Sequence, residues 1–376
     1  MMLLNQKYEI YPSDEQREQL DRWISYCRQA YNSALLDKQR KYKQSKESYT
    51  RFAMQKQLKL DKSKIPFLKK IPSQPLQEVF IRLDKAFVYF FRKQANYPRL
   101  KKYKDYNSIT FPQFGFKPNS HHRYAASFAT NGNLQLSKLG QIPIHLHRPI
   151  DGTIKQLIIK RQGTRWYAFF SVERQVYPAP INRNLVIGID VGLDKYAVLS
   201  DGRSFDNPRF LRQTEKKLKR AQKKLSQQKR GSANYKKQVI KIRKLHEKVA
   251  NQRRDTLYKW SHNLTKYYSV IAVENLNIRN MVKNKHLAKS ISDAGWGMFR
   301  NMLSYKCERN GGLLIRVNPE FTTQDCSECG TRVKKSLSIR THICKSCGTI
   351  LDRDHNASLN ILRKGLEQLD QMVVMD

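Results

Sequence analysis

Leu185-Val-Ile-Gly-Ile-Asp190 settles how the second half of this chain is read. An unbroken apolar run of that length suits a strand buried on both faces, as in parallel sheets. It ends without transition in an acid. Val270-Ile-Ala-Val273 repeats the pattern and ends in Glu274. Between and beyond these runs, Tyr196–Leu199 reads as a strand, Asp201-Gly202 as a hairpin turn before a third, 285–306 as a helix and Leu313–Val317 as a further strand. A last helix is expected from about Asn356, just after Asp354. In open α/β sheets, strand ends and helix starts converge on one crevice. That rule gathers Asp190, Glu274 and Asp354.

Three carboxylates in one crevice repel one another unless divalent cations hold them. Mg²⁺ (or Mn²⁺) favours such oxygens and keeps positions open for phosphate and water. Two ions roughly 4 Å apart activate water and stabilise the leaving 3′ oxygen of a phosphodiester. Acids from separate elements are needed, because one helix cannot flank both ions. Asp194 and Asp201 lie in turn contexts and read as structural. Asp352 is two residues from Asp354 and would face another way in an extended segment, so Asp354 is the candidate.

Cys326-Ser-Glu-Cys329 and Cys344-Lys-Ser-Cys347 stand immediately before that acid. Two CxxC knuckles separated by 14 residues supply four thiolates to a closed tetrahedral zinc, a structural and not a catalytic site. Lys334, Lys335, Arg340 and Lys345 on the ribbon are able to reach phosphate, or simply to stay solvated. The remaining cysteines, Cys27 and Cys307, read as buried thiols. No secreted disulfide framework is present in the pattern, and the expected compartment is the reducing cytoplasm, at the bacterial nucleoid.

Charge names the class of partner. With 72 Lys+Arg against 31 Asp+Glu the formal charge is +41, a self-repelling balance that a polyanion relieves. Residues 209–260 concentrate it, with 19 basic residues against 3 acids. Leu211, Leu218, Ala221 and Leu225 before Gly231, and Tyr235, Val239, Ile242 and Val249 after it, predict a helical hairpin with a narrow apolar seam. Lys216, Lys217, Lys219, Arg220, Lys223 and Lys224 on its first arm, with Arg353 beside the third acid, are candidate nucleic-acid contacts. Arrayed cations match backbone phosphates without reading sequence. No apolar run approaches the roughly 20 residues of a membrane span, and the N-terminus lacks a signal-peptide pattern.

The first half is organised differently. Residues 3–11 read as a strand ending at Pro12. Ser13-Asp-Glu-Gln16 resembles a capping box, and Leu20, Trp23, Ile24, Cys27, Tyr31, Ala34 and Leu35 follow at helical spacing to about Tyr42. Further helices are expected near 49–60 and 75–94. Short alternating runs near 108–116, 123–129, 133–136, 142–147, 153–161 and 165–174 suggest a small barrel or sandwich. His145-Leu-His147 could hold a metal from one strand face, but a structural or RNA-facing role fits its setting better. The first long helix, although able to serve as a helix-turn-helix reader, suits a scaffold.

At Gly188-Ile-Asp190-Val-Gly192, Val273-Glu274-Asn-Leu276, Asp293-Ala-Gly-Trp296, Thr323-Gln-Asp-Cys326-Ser-Glu-Cys329-Gly330 and Asp352-Arg353-Asp354-His-Asn356-Ala-Ser-Leu-Asn360 the chain resembles the TnpB (OrfB) proteins of bacterial insertion sequences. These are compact relatives of type V CRISPR effectors. Looser matches at Tyr11-Pro12, Arg28-Gln-Ala-Tyr31-Asn32, Leu83-Asp-Lys-Ala-Phe87 and Tyr97-Pro-Arg99 extend the likeness over essentially the full length. The resemblance implies a multidomain α+β protein. An RNase H-like (RuvC) nuclease domain would span 181–320 and 351–376, with a zinc ribbon inserted at 321–350. A wedge-like β-barrel would span 1–12 and 96–180, with a helical recognition insertion at 13–95. It further implies a noncoding guide RNA, double-stranded DNA as target, a monomeric or dimeric ribonucleoprotein, and cleavage beside a short flanking motif. Asp190, Glu274 and Asp354 fall on the family's catalytic positions, unlike nuclease-dead relatives that lose one or more. The intervals of 84 and 80 residues, with Glu in the middle, suit RuvC order better than that of a strand-transfer transposase. A transposase or transposition-accessory DNA-binding protein and a nuclease-independent RNA-guided DNA binder or regulator are the alternatives.

Overall fold

The computed structural model describes residues 2–116, 122–175, 181–182, 184–336 and 338–374. The expected boundary at 180/181 abuts residues outside that set. The chain divides into two compact units, Met1–Gln175 and Val176–Asp376.

The first unit begins with β1 (Met2–Ile10) and α1 (Asp14–Ser45). Ser13 and Gln16 form the expected capping box, each side chain accepting from the other's backbone N–H at 3.2 and 3.0 Å. Next come α2 (Arg51–Lys64) and α3 (Ser73–Phe91). The remaining strands are β2 (Ser108–Phe111), β3 (Ala126–Phe128), β4 (Leu134–Leu136), β5 (Gly140–Ile142), β6 (Ile144–His145), β7 (Thr153–Gln162) and β8 (Arg165–Arg174). They form an open five-stranded sheet, β2-β7-β8-β1-β6, and a separate three-stranded sheet, β3-β4-β5. The expected barrel is therefore corrected: among the described residues the edge strands β2 and β6 do not pair. β6 has two residues and lies between Pro143 and Pro149, which lack the N–H that a longer ladder requires. Helices α1–α3 are inserted between two strands of one sheet yet share its core, with Leu20, Trp23, Tyr31, Leu76 and Leu83 buried alongside Phe111, Ile159 and Phe170. His147 packs its ring 5.0 Å from that of Tyr8, both histidines are exposed, and neither joins a group of three or more potential metal ligands among the described residues.

The second unit opens with β9 (Val186–Val191), β10 (Lys195–Leu199) and β11 (Ser204–Asp206). The basic hairpin follows as α4 (Phe210–Ser226) and α5 (Ala233–Tyr267). Then come β12 (Val270–Glu274), α6 (Ile278–Met281), α7 (Ala288–Ala294), α8 (Trp296–Asn310), β13 (Leu313–Val317), β14 (Thr341–Ile343), β15 (Ile350–Asp352) and α9 (Arg353–Val374). The main sheet has the order β11-β10-β9-β12-β13, with β9, β12 and β13 parallel.

The single helix expected at 285–306 is two helices. Gly295, at φ +71°, breaks it, and a Cβ there would stand 2.9 Å from Cδ of Arg253. Arg253 in turn donates to the carbonyl and carboxylate of Asp293 at 2.6 and 2.5 Å, while the Leu211 amide donates to the same carboxylate at 2.9 Å. Asp293 thereby ties α4, α5 and α7 together.

Strand alternation divides the sheet's two faces. Ile187, Ile189, Ile271 and Val273 enter the core beneath α5 and α8. Val270 and Ala272 face the other side, with Ile361 and Leu369 of α9. Gly188 and Asp190 share the α9 face, as do Ala272 and Glu274. The contact with α9 is unusually close: a Cβ at Gly188 would lie 2.2 Å from the Ser358 carbonyl, and one at Gly365 would lie 2.5 Å from Cβ of Ala272. Backbone cannot yield as a flexible side chain does. Gly188→Ala should therefore lift α9 and destabilise the second unit by about 3 kcal/mol, seen as faster amide exchange in α9 and β9. Unchanged exchange would refute that packing.

Candidate active site

The acids reach one place because three separate elements end there. Val273 lies opposite Ile189 in the parallel pair, which sets Asp190 and Glu274 side by side at the strand ends. The ribbon's last strand, β15, ends at Asp352, whose Oδ1 accepts from the backbone N–H of Asp354 and of His355 at 3.0 and 3.1 Å. Asp352 is thus the N-cap of α9. The cap starts the helix earlier than the sequence suggests, and Asp354 stands inside its first turn.

Asp190 is buried at 8% exposure. Burial, then the like charges of Glu274 and Asp354, push its carboxyl well above the usual carboxylate range. Burial also raises Glu274, opposed by a 2.5 Å hydrogen bond from the Thr322 hydroxyl and by the charge of Lys364. Asp354 accepts from Arg353 Nε and Nη2, both at 3.0 Å, and from Arg340 Nη1 at 3.1 Å. This cluster fits divalent cations chemically, since cations would neutralise repelling acids, of which Asp354 leans on two guanidinium groups. The oxygens are nevertheless spread out: among the described residues only the four cysteines have all their ligand atoms within 4.8 Å of one another.

The cysteines form the ribbon expected of them. Sγ of Cys326 is 3.7 Å from that of Cys347, and Sγ of Cys329 is 3.5 Å from that of Cys344. A tetrahedral zinc with bonds of about 2.3 Å sets its sulfurs about 3.8 Å apart, so the four positions fit that ion. The two knuckles repeat one turn. Gly330 donates to the Cys326 carbonyl and Gly348 to that of Cys344, both at 2.9 Å, with φ of +76° and +77°. The hydroxyl and amide of Thr331 pull the Cys329 thiol down to about 6, and Thr349 lowers Cys347 in the same way. Both shifts favour the thiolate that binds metal.

Residue types alone did not reveal how the ribbon is held. Asn356 and Asn360, fully buried on one face of α9, donate to the Asp325 carbonyl at 2.8 and 2.7 Å. Asn360 also donates to the Thr322 carbonyl at 2.9 Å, and Asn356 accepts from the Ser327 amide at 3.0 Å. Two asparagines four apart in an apolar helix were the available signal, because Asn is a poor helix former.

Of the candidate nucleic-acid residues, Lys216, Lys217, Lys219, Arg220, Lys223 and Lys224 are exposed along α4. Lys219 also pairs with Glu215 at 3.2 Å. Leu218 and Ala221 turn inward, and Gln238 of α5 donates to the Ala221 carbonyl at 2.7 Å. Arg353 differs from them. Its side chain is 13% exposed and turned onto Asp354, so it belongs to the acid cluster and not to an open basic surface. Asp201 is structural: partial burial is outweighed by hydrogen bonds from Arg203 and Tyr268, which hold it below the usual range. Asp194 is an exposed partner of Arg209 at 3.2 Å.

A mixed α/β unit with three converging acids and an inserted four-cysteine ribbon defines the class. This chain belongs to the TnpB (OrfB) family. Family models described as "Probable transposase", "Cas12f1-like, TNB domain" and "Helix-turn-helix domain" match residues 169–285, 296–361 and 1–47. The described part of 1–47 holds one strand and one 32-residue helix, not two helices and a turn. A Streptomyces pristinaespiralis protein named "Putative RNA-guided DNA endonuclease" is 34% identical over 96% of this chain and 89% of its own length. An Escherichia coli K12 protein named "Putative RNA-guided DNA endonuclease InsQ" is 31% identical over 96% and 91%. The fold is similar to that of Cas12f1 in a complex with sgRNA and target DNA, with a TM-score of 0.58 and 15% identity over 93% of this chain and 83% of that one.

Metal and packing contributions to the ribbon separate experimentally. Cys344→Ser should abolish stoichiometric zinc in elemental analysis. Asn360→Ala should keep zinc but cost about 1–3 kcal/mol, because the Thr322 carbonyl loses its side-chain donor and the Asp325 carbonyl loses one of two, with faster exchange in the ribbon as the readout.

Proposed function

We propose that this chain is a transposon-encoded RNA-guided DNA endonuclease with a RuvC-type, metal-dependent centre at Asp190, Glu274 and Asp354. The observation that carries this reading is the convergence of the three acids. Asp190 lies buried between like charges, an arrangement costly to stability and useful for binding cations. When bound, Mg²⁺ or Mn²⁺ would supply an activated water and a counter-charge for the leaving 3′ oxygen. Thr322 orients Glu274. The Asp352 cap and the ribbon set the position of Asp354. Arg340 and Arg353 balance its charge and are able to turn toward a phosphate once it is engaged.

The basic arm α4 would follow backbone phosphates. A cleft of about 530 Å³ that Arg340 shares with the acid cluster is lined by Arg209, Arg212 and Lys289 together with Asp194, Glu215 and Asp293, a mixed-charge surface. Base pairing to a guide would provide sequence specificity, leaving the protein to recognise helix shape and a short flanking motif. A structural zinc in the ribbon and RNA and double-stranded DNA as partners complete the reading.

Alanine at Asp190, Glu274 or Asp354 should each reduce cleavage by about 10³-fold or more while the RNA complex still forms, measured on target DNA with the copurified RNA. Chelation should give the same loss, reversed by Mg²⁺. Retained cleavage in all three variants would sink the assignment and favour a regulator or an accessory factor. Asp190→Asn removes a buried carboxyl that is costly to ionise beside Glu274 and Asp354, so in metal-free buffer it should raise the melting midpoint while eliminating cleavage. The α4 contact has its own signature. Replacing Lys216, Lys217, Lys223 and Lys224 with Gln should flatten the plot of log affinity against log salt by about one unit per lost phosphate contact. An unaltered slope would assign those lysines to solvent alone.

A further inference from the structure

The first unit carries an aromatic cleft that the endonuclease reading does not use. The end of α1 and the end of α3 enclose about 600 Å³ there, with Tyr42, Phe87, Phe90, Phe91 and Tyr97 among the lining residues. That volume lies within the roughly 300–1,000 Å³ of small-ligand sites. The rings form one cluster. Tyr97 stands edge to face against Phe87 at 5.5 Å and Phe90 at 5.2 Å, and Phe91 lies 5.3 Å from Phe90. Only Phe87 is buried. Tyr42, Phe91 and Tyr97 are 59%, 73% and 42% exposed. Large rings left in water this way within one concave patch mark a binding surface.

The rim is cationic. Lys38 and Lys43 line the cleft against a lone acid, Glu47. The Lys38 ammonium lies 5.1 Å from the Phe87 ring centre and that of Lys46 5.5 Å from the Tyr42 ring centre. Polar groups sit between the rings, with Gln39 donating to the Tyr97 hydroxyl at 3.3 Å. Aromatic faces for stacking, ammonium groups for a phosphate and amide or hydroxyl groups for a base edge together match a nucleotide better than an apolar peptide.

We infer that this cleft binds an unstacked base in a single-stranded segment of the RNA. The inference rests on the proposed function, which brings an RNA to the chain. Bases in the DNA duplex and in a guide–target heteroduplex are paired and stacked, and the DNA strand displaced by the guide is unpaired only after target engagement. A folded RNA instead exposes bases in loops and bulges, where proteins take them on aromatic side chains. The contact anchors the RNA independently of the guide sequence, because every base has a π face.

The test uses the full chain and the RNA that copurifies with it, resynthesised with 4-thiouridine in its unpaired segments. Irradiation should join the RNA to Tyr42, Phe91 or Tyr97, located by mass spectrometry. The double variant Tyr42→Ala/Phe91→Ala, at two exposed positions, should lose that adduct and weaken RNA affinity by roughly 5- to 100-fold with an unaltered salt slope. Phe91→Trp should restore affinity. Adducts only elsewhere, wild-type affinity in the double variant, or a changed salt slope would overturn the inference. So would stronger labelling by single-stranded thio-DNA of the same sequence, or a protein found seated on this face. If RNA copurifies and target DNA is cut while the cleft stays unlabelled, this inference alone fails. If no RNA copurifies, the proposed function fails with it.

Discussion

Helix α9 lies so close to the central sheet that neither Gly188 nor Gly365 has space for a Cβ. Most of the second unit follows from that approach. Closeness on one face lets Ile361 and Leu369 fill the space over Val270 and Ala272. It also fixes where the helix can start, and so where Asp354 stands relative to Asp190 two residues beyond Gly188. A wider separation of helix and sheet would carry that carboxylate away from its partners. Gly188 and Asp190 are therefore linked: the close approach that the first permits brings Asp354 toward the second.

The ribbon contributes the other constraint on the same helix. Its last strand delivers Asp352 as the cap, and Asn356 and Asn360 bind Asp325 and Thr322 through buried hydrogen bonds. Thr322 closes the circuit by donating to Glu274. Four thiols, two asparagines and one hydroxyl thus connect the ribbon to two of the three acids. Such a buried polar network is costly if half satisfied and strongly orienting when complete. The ribbon is a positioning element, although its cysteines are the most visible motif in the chain.

Much of this organisation is legible in the sequence. The apolar runs ending in Asp190 and Glu274, the two CxxC knuckles, the capping box at Ser13 and the basic hairpin are local patterns, and each forms where its pattern lies. What escaped were features set by distant partners. The barrel does not close, because strand pairing is decided between segments far apart and two prolines bound the shortest strand. The helix at 285–306 is broken because Gly295 has to make way for Arg253, some forty residues earlier. Arg353 resembles any surface cation until Asp354 and Arg340 are placed around it. The aromatic cleft of the first unit joins residues near 42 with others near 91 and 97, a proximity that helix periodicity does not disclose.

By itself, then, the sequence determined the elements, the kinds of ligand each motif favours and the sign of the charge that meets a polyanion. These depend on periodicity, residue chemistry and composition, all of which act over a few residues or over the whole. Tertiary structure alone decided how closely the acids at those strand ends approach one another, which cations neutralise them and which rings stay in water. Those outcomes depend on close packing, where an ångström of backbone approach at a glycine separates a cluster of carboxylates from three unrelated ones.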